Sequence, residues 1–255
     1  MNYPNKLIKK GEQNKDIVKA IQKALNDNLC GPLVVDGDFG NNTVSAVKLF
    51  QTRNTDNNGA SLLADGQVGS LTWSALFGLE SVVNDNEVPR PLQANALLVA
   101  ISQINVVEQP RGSNRGPEVD GYLKSVGLNP ANGCYAWCAA FVYWSYQEAA
   151  RTLSINNPLV KTAGVLGHWN KSTAAKISKI EAINEPYKVK PGSIFMIDHG
   201  KGLGHTGIVE SVTGGNLITI EGNTNSGQSR EGYGVFRLTR RKVSDINKGF
   251  LDYHV

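Results

Sequence analysis

The chain has 255 residues, of which 40% are hydrophobic and 19% are charged, and this balance excludes a wholly disordered protein. The formal net charge is only +4 and the sequence contains no dense run of Lys and Arg, which argues against a nucleic-acid-binding surface. No apolar stretch approaches the roughly 18 residues that a membrane-spanning helix needs, so we expect no membrane insertion.

An internal repeat is the first motif along the chain. The segments Asp36–Ala46 and Asp65–Ala75 both read DGxxGxxTxSA, with an offset of 29 residues. Asp-Gly followed by a second Gly is typical of a tight turn, and the apolar residues after each turn have helical spacing. A further helix is predicted over Asp16–Asn26. Residues 6–78 are therefore expected to form a small three-helix unit in which these Asp and Gly residues build two matching turns.

This doubled motif resembles the peptidoglycan-binding three-helix module that is fused to many bacterial and phage cell-wall enzymes. The resemblance covers about residues 6–78 and includes Gln22 and Phe50–Gln51. It implies binding of cell-wall glycan or stem peptide in a groove near the two loops. Asp36 and Asp38 look like the start of a calcium loop, but the other EF-hand positions are absent, so we predict no calcium site.

A change of composition marks the end of this unit. Residues 79–94 contain Pro89, Pro91 and a cluster of Asn and Asp, and this composition predicts a linker. We therefore assign residues 1–78 to a first domain and residues 95–255 to a second.

The second domain shows helical patterns first and strand patterns afterwards. The predicted helices cover residues 95–107, 117–126 and 137–152, and the predicted strands are Gly192–Asp198, Thr206–Val212, Asn216–Glu221 and a last strand near Gly234–Leu238. This order predicts an α+β domain with helices packed on an antiparallel sheet.

Cys138 is the candidate nucleophile of the second domain. It follows the helix-breaking pair Asn132–Gly133 and opens an apolar helical pattern, so it is predicted to lie in the first turns of a buried helix. The dipole and free N–H groups of a helix N-terminus stabilise a thiolate and can also stabilise an oxyanion. Taken alone, the cysteine is better explained as a small core residue, and the other members of the set change this assignment. Cys134 is expected to be a packing residue, because a metal site needs more ligands.

His205 and a carboxylate or amide on the next strand complete a candidate catalytic set. His205 stands just before a predicted strand, where a general base is held rigidly. The next strand carries Glu221 and, if it continues, Asn223 on the same face. The turn at Gly214–Gly215 predicts that the two strands are neighbours. The order Cys, His, then Glu or Asn is permitted for a cysteine hydrolase triad.

Four ordered segments of this domain resemble the CHAP family of cysteine- and histidine-dependent amidohydrolases and peptidases, which have a papain-like fold. The segments are Trp137–Val142, Lys190–Ile194, Gly204–Val209 and Ile220–Asn223. The resemblance covers about residues 95–255 and implies that Cys138 is the nucleophile and His205 the base. It also implies that Glu221 orients the imidazole, with Asn223 as the competing or supporting candidate.

The two resemblances together imply an endolysin-like peptidoglycan hydrolase. Such an enzyme cuts either the N-acetylmuramoyl-L-alanine amide or a peptide bond of the stem or crossbridge, without a metal or an organic cofactor. We expect a monomer whose partner is bacterial peptidoglycan. We also expect it to be made in the cytoplasm without a signal peptide and to reach the wall by holin-type release or by secretion.

Three alternatives remain at the level of sequence. The chain could be an antibacterial amidase effector delivered by a secretion machine, a non-catalytic wall-binding protein with an inactive hydrolase domain, or a cysteine protease acting on proteins. The intact set of Cys138, His205 and Glu221 argues against the second alternative, and the wall-binding repeat argues against the third. Of the remaining positions, His168 is expected in a surface loop or, less favourably, in the substrate cleft, and Ser226–Gly232 at the rim of that cleft.

Overall fold

The computed structural model describes residues 1–57, 59–82, 91–225 and 232–253. These residues divide into two compact units. The first is built from the N-terminal part of the chain together with the short segments Ile183–Tyr187 and Thr213–Asn216, and the second contains the other described residues. No helix in the described ranges is long and apolar enough to cross a bilayer.

The N-terminal part of the chain forms the helices that its repeat predicts. They are α1 (Lys15–Asp27), α2 (Asn41–Arg53) and α3 (Ser70–Phe77), followed by a short 3-10 helix at Leu79–Ser81. Helices α2 and α3 each begin directly after the second glycine of a DGxxG loop. Their inward faces bury a shared apolar cluster that includes Ile21, Phe50 and Trp73.

A glutamine of the preceding helix holds the first repeat loop. Gln22 Nε2 donates to Asp36 Oδ1 at 2.8 Å and to Thr43 Oγ1 at 3.3 Å. The Gln22 Oε1 atom accepts from the Gly37 N–H group at 2.9 Å. One side chain therefore ties the turn to the start of the helix that follows it.

The second repeat loop is held in the same way, 29 residues later. Gln51 Nε2 donates to Asp65 Oδ1 at 3.1 Å and to Thr72 Oγ1 at 3.2 Å, and Gln51 Oε1 accepts from the Gly66 N–H group at 2.9 Å. The expectation that the doubled Asp and Gly residues build turns is confirmed. The repeat also extends backwards to a pair of glutamines.

Residues 83–90 of the predicted linker lie outside the described residues. The first residues of the predicted segment form the 3-10 helix Leu79–Ser81, and its last residues begin helix α4 (Pro91–Ser102). Helix α4 starts earlier than the predicted residue 95 because proline is well suited to the first turn of a helix.

The described residues after position 90 form helices and a six-stranded antiparallel sheet, which confirms the α+β prediction. The further helices are α5 (Pro117–Ser125), α6 (Cys138–Thr152), α7 (Val165–Lys171) and α8 (Lys179–Asn184). The strands are β1 (Ala175–Ile177), β2 (Ile194–Gly200), β3 (Leu203–Thr213), β4 (Asn216–Thr224), β5 (Gly234–Lys242) and β6 (Gly249–Asp252). Their order in the sheet is β1-β6-β2-β3-β4-β5.

The sequence patterns missed several short elements. The prediction that the strand near Gly234–Leu238 is the last one is wrong, because β6 follows it and pairs with both β1 and β2. All four residues of β6 are buried, so the strand lacks the alternation that marks a strand with one exposed face. Elements as short as α7, α8 and β1 are likewise too brief to show a period.

Helix α6 lies at the centre of the second core. It packs against α4 and α5, and its small residues Ala139, Ala140 and Ala149 are fully buried or nearly so. The larger side chains of Phe141 and Tyr146 fill the remaining space in the same cluster. This packing fixes the helix and, with it, the position of its first residue.

The substitution Gln22→Ala is expected to speed amide hydrogen exchange in the first repeat loop only. The variant removes the acceptor of the Gly37 N–H group and leaves the equivalent bond between Gln51 and Gly66 intact. A buried donor left unsatisfied costs about 1–3 kcal/mol, so exchange at Gly37 should rise by roughly tenfold or more. Exchange at Gly66, measured in the same molecule by NMR or mass spectrometry, is the matched control. Equal acceleration in both loops, or none, contradicts a local role.

Candidate active site

Cys138 is the first residue of helix α6 and is 2% exposed. The preceding residue, Trp137, has φ −120° and ψ 9°, so the chain turns into the helix directly at the cysteine. The first N–H groups of an α-helix have no partner within the helix and carry a partial positive charge. The predicted place of Cys138, at the start of a buried helix, is confirmed.

His205 and Glu221 form a buried hydrogen-bonded pair on the neighbouring strands β3 and β4. The imidazole Nε2 lies 2.7 Å from Glu221 Oε2, and the two side chains are 2% and 0% exposed. Gly207 makes this approach possible, because a Cβ atom there would lie only 2.8 Å from Glu221 Cγ. Gly207, the second glycine of the Gly204–Val209 segment, is therefore required because the Glu221 side chain occupies the space of a Cβ atom.

The second ring nitrogen of His205 is directed away from this pair. Nδ1 is buried and has no hydrogen-bond partner in the described ranges of the chain. Burial opposes the charged imidazole, but the nearby Cys138 and Glu221 outweigh it and raise the pKa of His205 to about 9. The structure therefore places both Cys138 and Glu221 near the imidazole of His205, with Nε2 held by Glu221.

Two further side chains hold Glu221, and the sequence patterns identified neither. Arg241 on β5 donates from Nε to Oε1 at 2.6 Å and from Nη2 to Oε2 at 2.7 Å. Thr219 Oγ1 donates to Oε1 at 2.6 Å, so each carboxylate oxygen takes part in two hydrogen bonds. Burial alone would raise the pKa of Glu221, but His205 and Arg241 lower it to about 2. The carboxylate is thus ionised and fully engaged.

The sequence does not indicate that Arg241 is buried, because it belongs to the basic triplet Arg240–Lys242, and such triplets are typical of a solvated surface. The strand itself departs from regular alternation. Its buried residues Leu238 and Arg241 are three positions apart, whereas alternation groups Arg241 with the exposed Arg237. The Arg241 guanidinium also lies over the Phe195 ring, with 5.0 Å between Cζ and the ring centroid.

Asn223 lies two residues after Glu221 on the same strand but plays a different part. Both polar atoms of its side chain are buried and lack a hydrogen-bond partner within the described part of the chain. Its φ of +55° is in the left-handed region. A strained backbone and an unsatisfied buried amide both cost free energy, and such features concentrate at functional sites. Glu221, and not Asn223, makes the hydrogen bond to the imidazole.

His168 is neither in a surface loop nor in a cleft, so that expectation is wrong. It lies in helix α7, is 2% exposed, and its Nε2 is 2.8 Å from the hydroxyl of Tyr253. Burial lowers the pKa of His168 to about 4. A histidine whose polar atom is satisfied internally can be buried as a neutral core residue.

The expectation for Cys134 is contradicted, and the expectation for Ser226–Gly232 stays a prediction. Cys134 is exposed, so the expectation that it is a packing residue is wrong. Its segment precedes α6 and belongs to no helix or strand, which leaves the side chain in solvent. The predicted cleft rim Ser226–Gly232 lies outside the described residues, apart from Gly232.

The first repeat of the N-terminal unit carries a groove of about 400 Å³. It is lined by residues of the loop and of the helix start, among them Leu33, Val34, Asp38 and Asn42. Val34 is 77% exposed, although it is a large aliphatic residue. The groove combines apolar and polar walls, as a binding site for a glycan or a peptide requires.

Two family models match the chain. The CHAP domain matches residues 130–223, and the Putative peptidoglycan binding domain matches residues 14–76. The chain joins a peptidoglycan-binding domain to a CHAP domain. No curated protein and no solved structure matches it. The two domains support a peptidoglycan hydrolase. The CHAP match includes Cys138, His205 and Glu221, whereas Arg241 lies beyond its end.

The two buried histidines predict opposite slopes of stability against pH. The pKa of His205 is raised from 6.5 to about 9, so the stability it contributes is complete below pH 6.5 and is lost as the pH rises to about 9. The pKa of His168 is lowered from 6.5 to about 4, so the unfolded state takes up the proton first and stability is lost as the pH falls from 6.5 to about 4.

Urea denaturation of the intact chain between pH 4 and pH 9 measures both slopes. The variant His205→Gln is expected to flatten the alkaline side of the profile, and His168→Gln the acidic side. Each variant is the control for the other. An alkaline slope that survives in His205→Gln contradicts the assigned protonation of the imidazole.

Proposed function

We propose that this chain is a cysteine-dependent peptidoglycan hydrolase that cleaves an amide bond of the cell wall, as an N-acetylmuramoyl-L-alanine amidase or as a stem or crossbridge endopeptidase. The observation that carries the proposal is a buried set of three side chains. Cys138 lies at the start of α6, and His205 and Glu221 lie on strands β3 and β4. The presence of this set in a CHAP domain, on the same chain as a peptidoglycan-binding domain, supports the substrate class.

The geometry supports a two-step acyl transfer. The Cys138 sulfur, as a thiolate, attacks the carbonyl carbon of the amide, and the N–H groups at the start of α6 stabilise the resulting oxyanion. His205 is protonated at neutral pH because its pKa is raised, and it donates this proton to the leaving amine as the C–N bond breaks. Water then adds to the acyl-enzyme while the neutral His205 takes its proton, and the C–S bond breaks, which releases a carboxylic acid and restores the Cys138 thiolate beside the protonated His205.

In this mechanism Glu221 orients the imidazole and does not itself transfer a proton. Its hydrogen bond to Nε2 leaves Nδ1 for the cysteine and the leaving amine. Arg241 keeps the carboxylate ionised, because it offsets the cost of burying the negative charge. The buried amide of Asn223 has no hydrogen-bond partner among the described residues and does not reach the imidazole, which suits a supporting role rather than that of the orienting group.

The N-terminal module supplies attachment to an insoluble substrate. Binding through the groove of the first repeat raises the local concentration of the catalytic unit at the wall. We propose that the protein acts as an endolysin-like enzyme that reaches the wall by holin-type release or by secretion, because the pairing of a wall-binding module with a hydrolase favours degradation of intact wall.

Digestion of purified sacculi tests the catalytic proposal. The variant Cys138→Ala is expected to lose activity by roughly 1,000-fold or more, because the acyl-enzyme cannot form. The variant Cys134→Ala, which removes the exposed cysteine four residues earlier, is the matched control and should retain activity. Mass spectrometry of the released amines distinguishes the amidase, which frees the amino group of L-alanine, from the endopeptidase. Sacculi left intact by the wild type contradict the proposal, as does cleavage of casein without cleavage of sacculi.

A matched pair of surface variants tests the binding groove. Val34 and Leu63 occupy equivalent positions of the two repeats and are 77% and 76% exposed, so replacing either one removes little buried contact. In a Cys138→Ala background, Val34→Asp is expected to weaken co-sedimentation with sacculi by about tenfold, and Leu63→Asp to leave it unchanged. A tenfold loss corresponds to about 1.4 kcal/mol of binding free energy. Equal losses in both variants contradict a site at the first repeat.

A further inference from the structure

The indole ring of Trp137 separates the start of helix α6 from strand β4. Trp137 is fully buried, and its ring centroid lies 5.7 Å from that of Tyr122. A Cβ atom at Gly222 would lie only 2.7 Å from Trp137 Cζ3. Trp137 directly precedes Cys138 and Gly222 directly follows Glu221. A Cβ atom at Gly222 would also lie 2.8 Å from the Cβ atom of Phe141 in α6, so the Trp137 ring and Phe141 together form the contact between the helix of Cys138 and the strand of Glu221.

One hydrogen bond orients this ring, since an indole has a single donor. Trp137 Nε1 donates to Glu108 Oε1 at 2.9 Å, and Glu108 is 2% exposed. The main chain of Glu108 is fixed in turn, because its N–H group donates to the carbonyl oxygen of Tyr233 at 2.8 Å. The adjacent Val107 forms a β-bridge with Gly234 at the start of β5. The acceptor is thus anchored to the same sheet that carries His205 and Glu221.

Burying the Glu108 side chain carries a desolvation cost that the bond to Trp137 offsets only in part. Its second oxygen, Oε2, is buried and has no hydrogen-bond partner among the residues that the structure describes. The two arginines of the following loop are engaged elsewhere: Arg111 lies 3.6 Å above the Tyr233 ring, and Arg115 pairs with Asp120 at 2.8 Å. A neutral amide oxygen would accept the same bond at a lower desolvation cost, so stability alone does not explain the carboxylate.

The geometry of this bond does offer one advantage. The single donor of the indole is taken by Glu108 Oε1 at 2.9 Å, so the bond restricts rotation of the ring. We propose that Glu108 is a positioning residue for the nucleophile: it fixes the Trp137 ring, and the ring fixes Cys138 relative to His205. Glu108 touches no reacting atom and lies outside residues 130–223 of the CHAP match. The inference rests on the proposed function of the catalytic set.

The test measures the reactivity of Cys138 in the full chain, in a Cys134→Ala background that removes the exposed thiol. The rate of alkylation by iodoacetamide is followed as a function of pH by mass spectrometry, which needs no wall substrate. Initial rates of sacculus digestion and the melting temperature are measured on the same samples. The variant His205→Gln defines the alkylation rate that is independent of the imidazole.

The informative variant is the double substitution Glu108→Leu with Trp137→Phe. The double variant leaves no unsatisfied donor or acceptor of this bond, but phenylalanine is smaller than tryptophan and leaves a cavity at a fully buried position, so the melting temperature should fall by several degrees. Both rates are therefore measured well below the melting temperature of the variant. Alkylation and digestion should both fall by roughly tenfold or more, because small displacements of a nucleophile are costly. A wild-type alkylation rate with a wild-type pH profile overturns the proposal.

The conservative variant Glu108→Gln is a second test, since it keeps the shape and an acceptor oxygen. We expect an alkylation rate between those of the wild type and the double variant, with a melting temperature at or above that of the wild type. An unchanged rate in Glu108→Gln, together with a lower melting temperature, marks a purely structural role and overturns the proposal. If the wild type leaves sacculi intact but alkylation still depends on His205 and Glu108, the proposed reaction fails while the positioning role stands.

Discussion

A buried carboxylate must be compensated within the protein, and much of the sheet is arranged around this requirement. Glu221 has no exposed side-chain surface, and it is met by Arg241, Thr219 and His205. Breaking a buried ion pair of this kind typically costs about 3–5 kcal/mol. Strands β3, β4 and β5 must therefore keep their relative register for His205, Glu221 and Arg241 to meet. Stability and the proposed chemistry depend on the same bonds.

The position of Cys138, the proposed nucleophile, has a separate origin, which is the packing of a helix. Helix α6 is held by its apolar neighbours, and its first residue has little freedom of its own. Two glycines reconcile this helix with the sheet. Gly207 leaves room for the Glu221 side chain, and Gly222 leaves room for the Trp137 ring. A methyl group at Gly207 would displace the Glu221 side chain, and a methyl group at Gly222 would displace the Trp137 ring.

The sequence predicted those features of the site that depend on local periodicity. Cys138 falls at a helix start and Glu221 on the strand next to that of His205. The first follows from helical spacing, and the second from strand alternation and the turn at Gly214–Gly215. The patterns missed Arg241 and Glu108 because both are buried charges, whereas charged residues are ordinarily assigned to the surface. Their burial depends on partners that are far away in sequence, and a single chain gives no sign of such pairings.

In the duplicated loops of the N-terminal module, the residues that hold the fold are distinct from the residues that line the rim of the groove. In each copy one glutamine, Gln22 or Gln51, holds the loop through hydrogen bonds to an aspartate, a threonine and a backbone amide, and these three partners are the same in both copies. We call this set of bonds the glutamine lock. The rim residues are outside the lock and differ, as Asn42 in the first copy and Leu71 in the second illustrate. A substitution at the rim therefore changes the surface of the groove without removing any of these hydrogen bonds. Under the proposed function, such a module can change its preferred ligand by single steps, with no compensating change elsewhere.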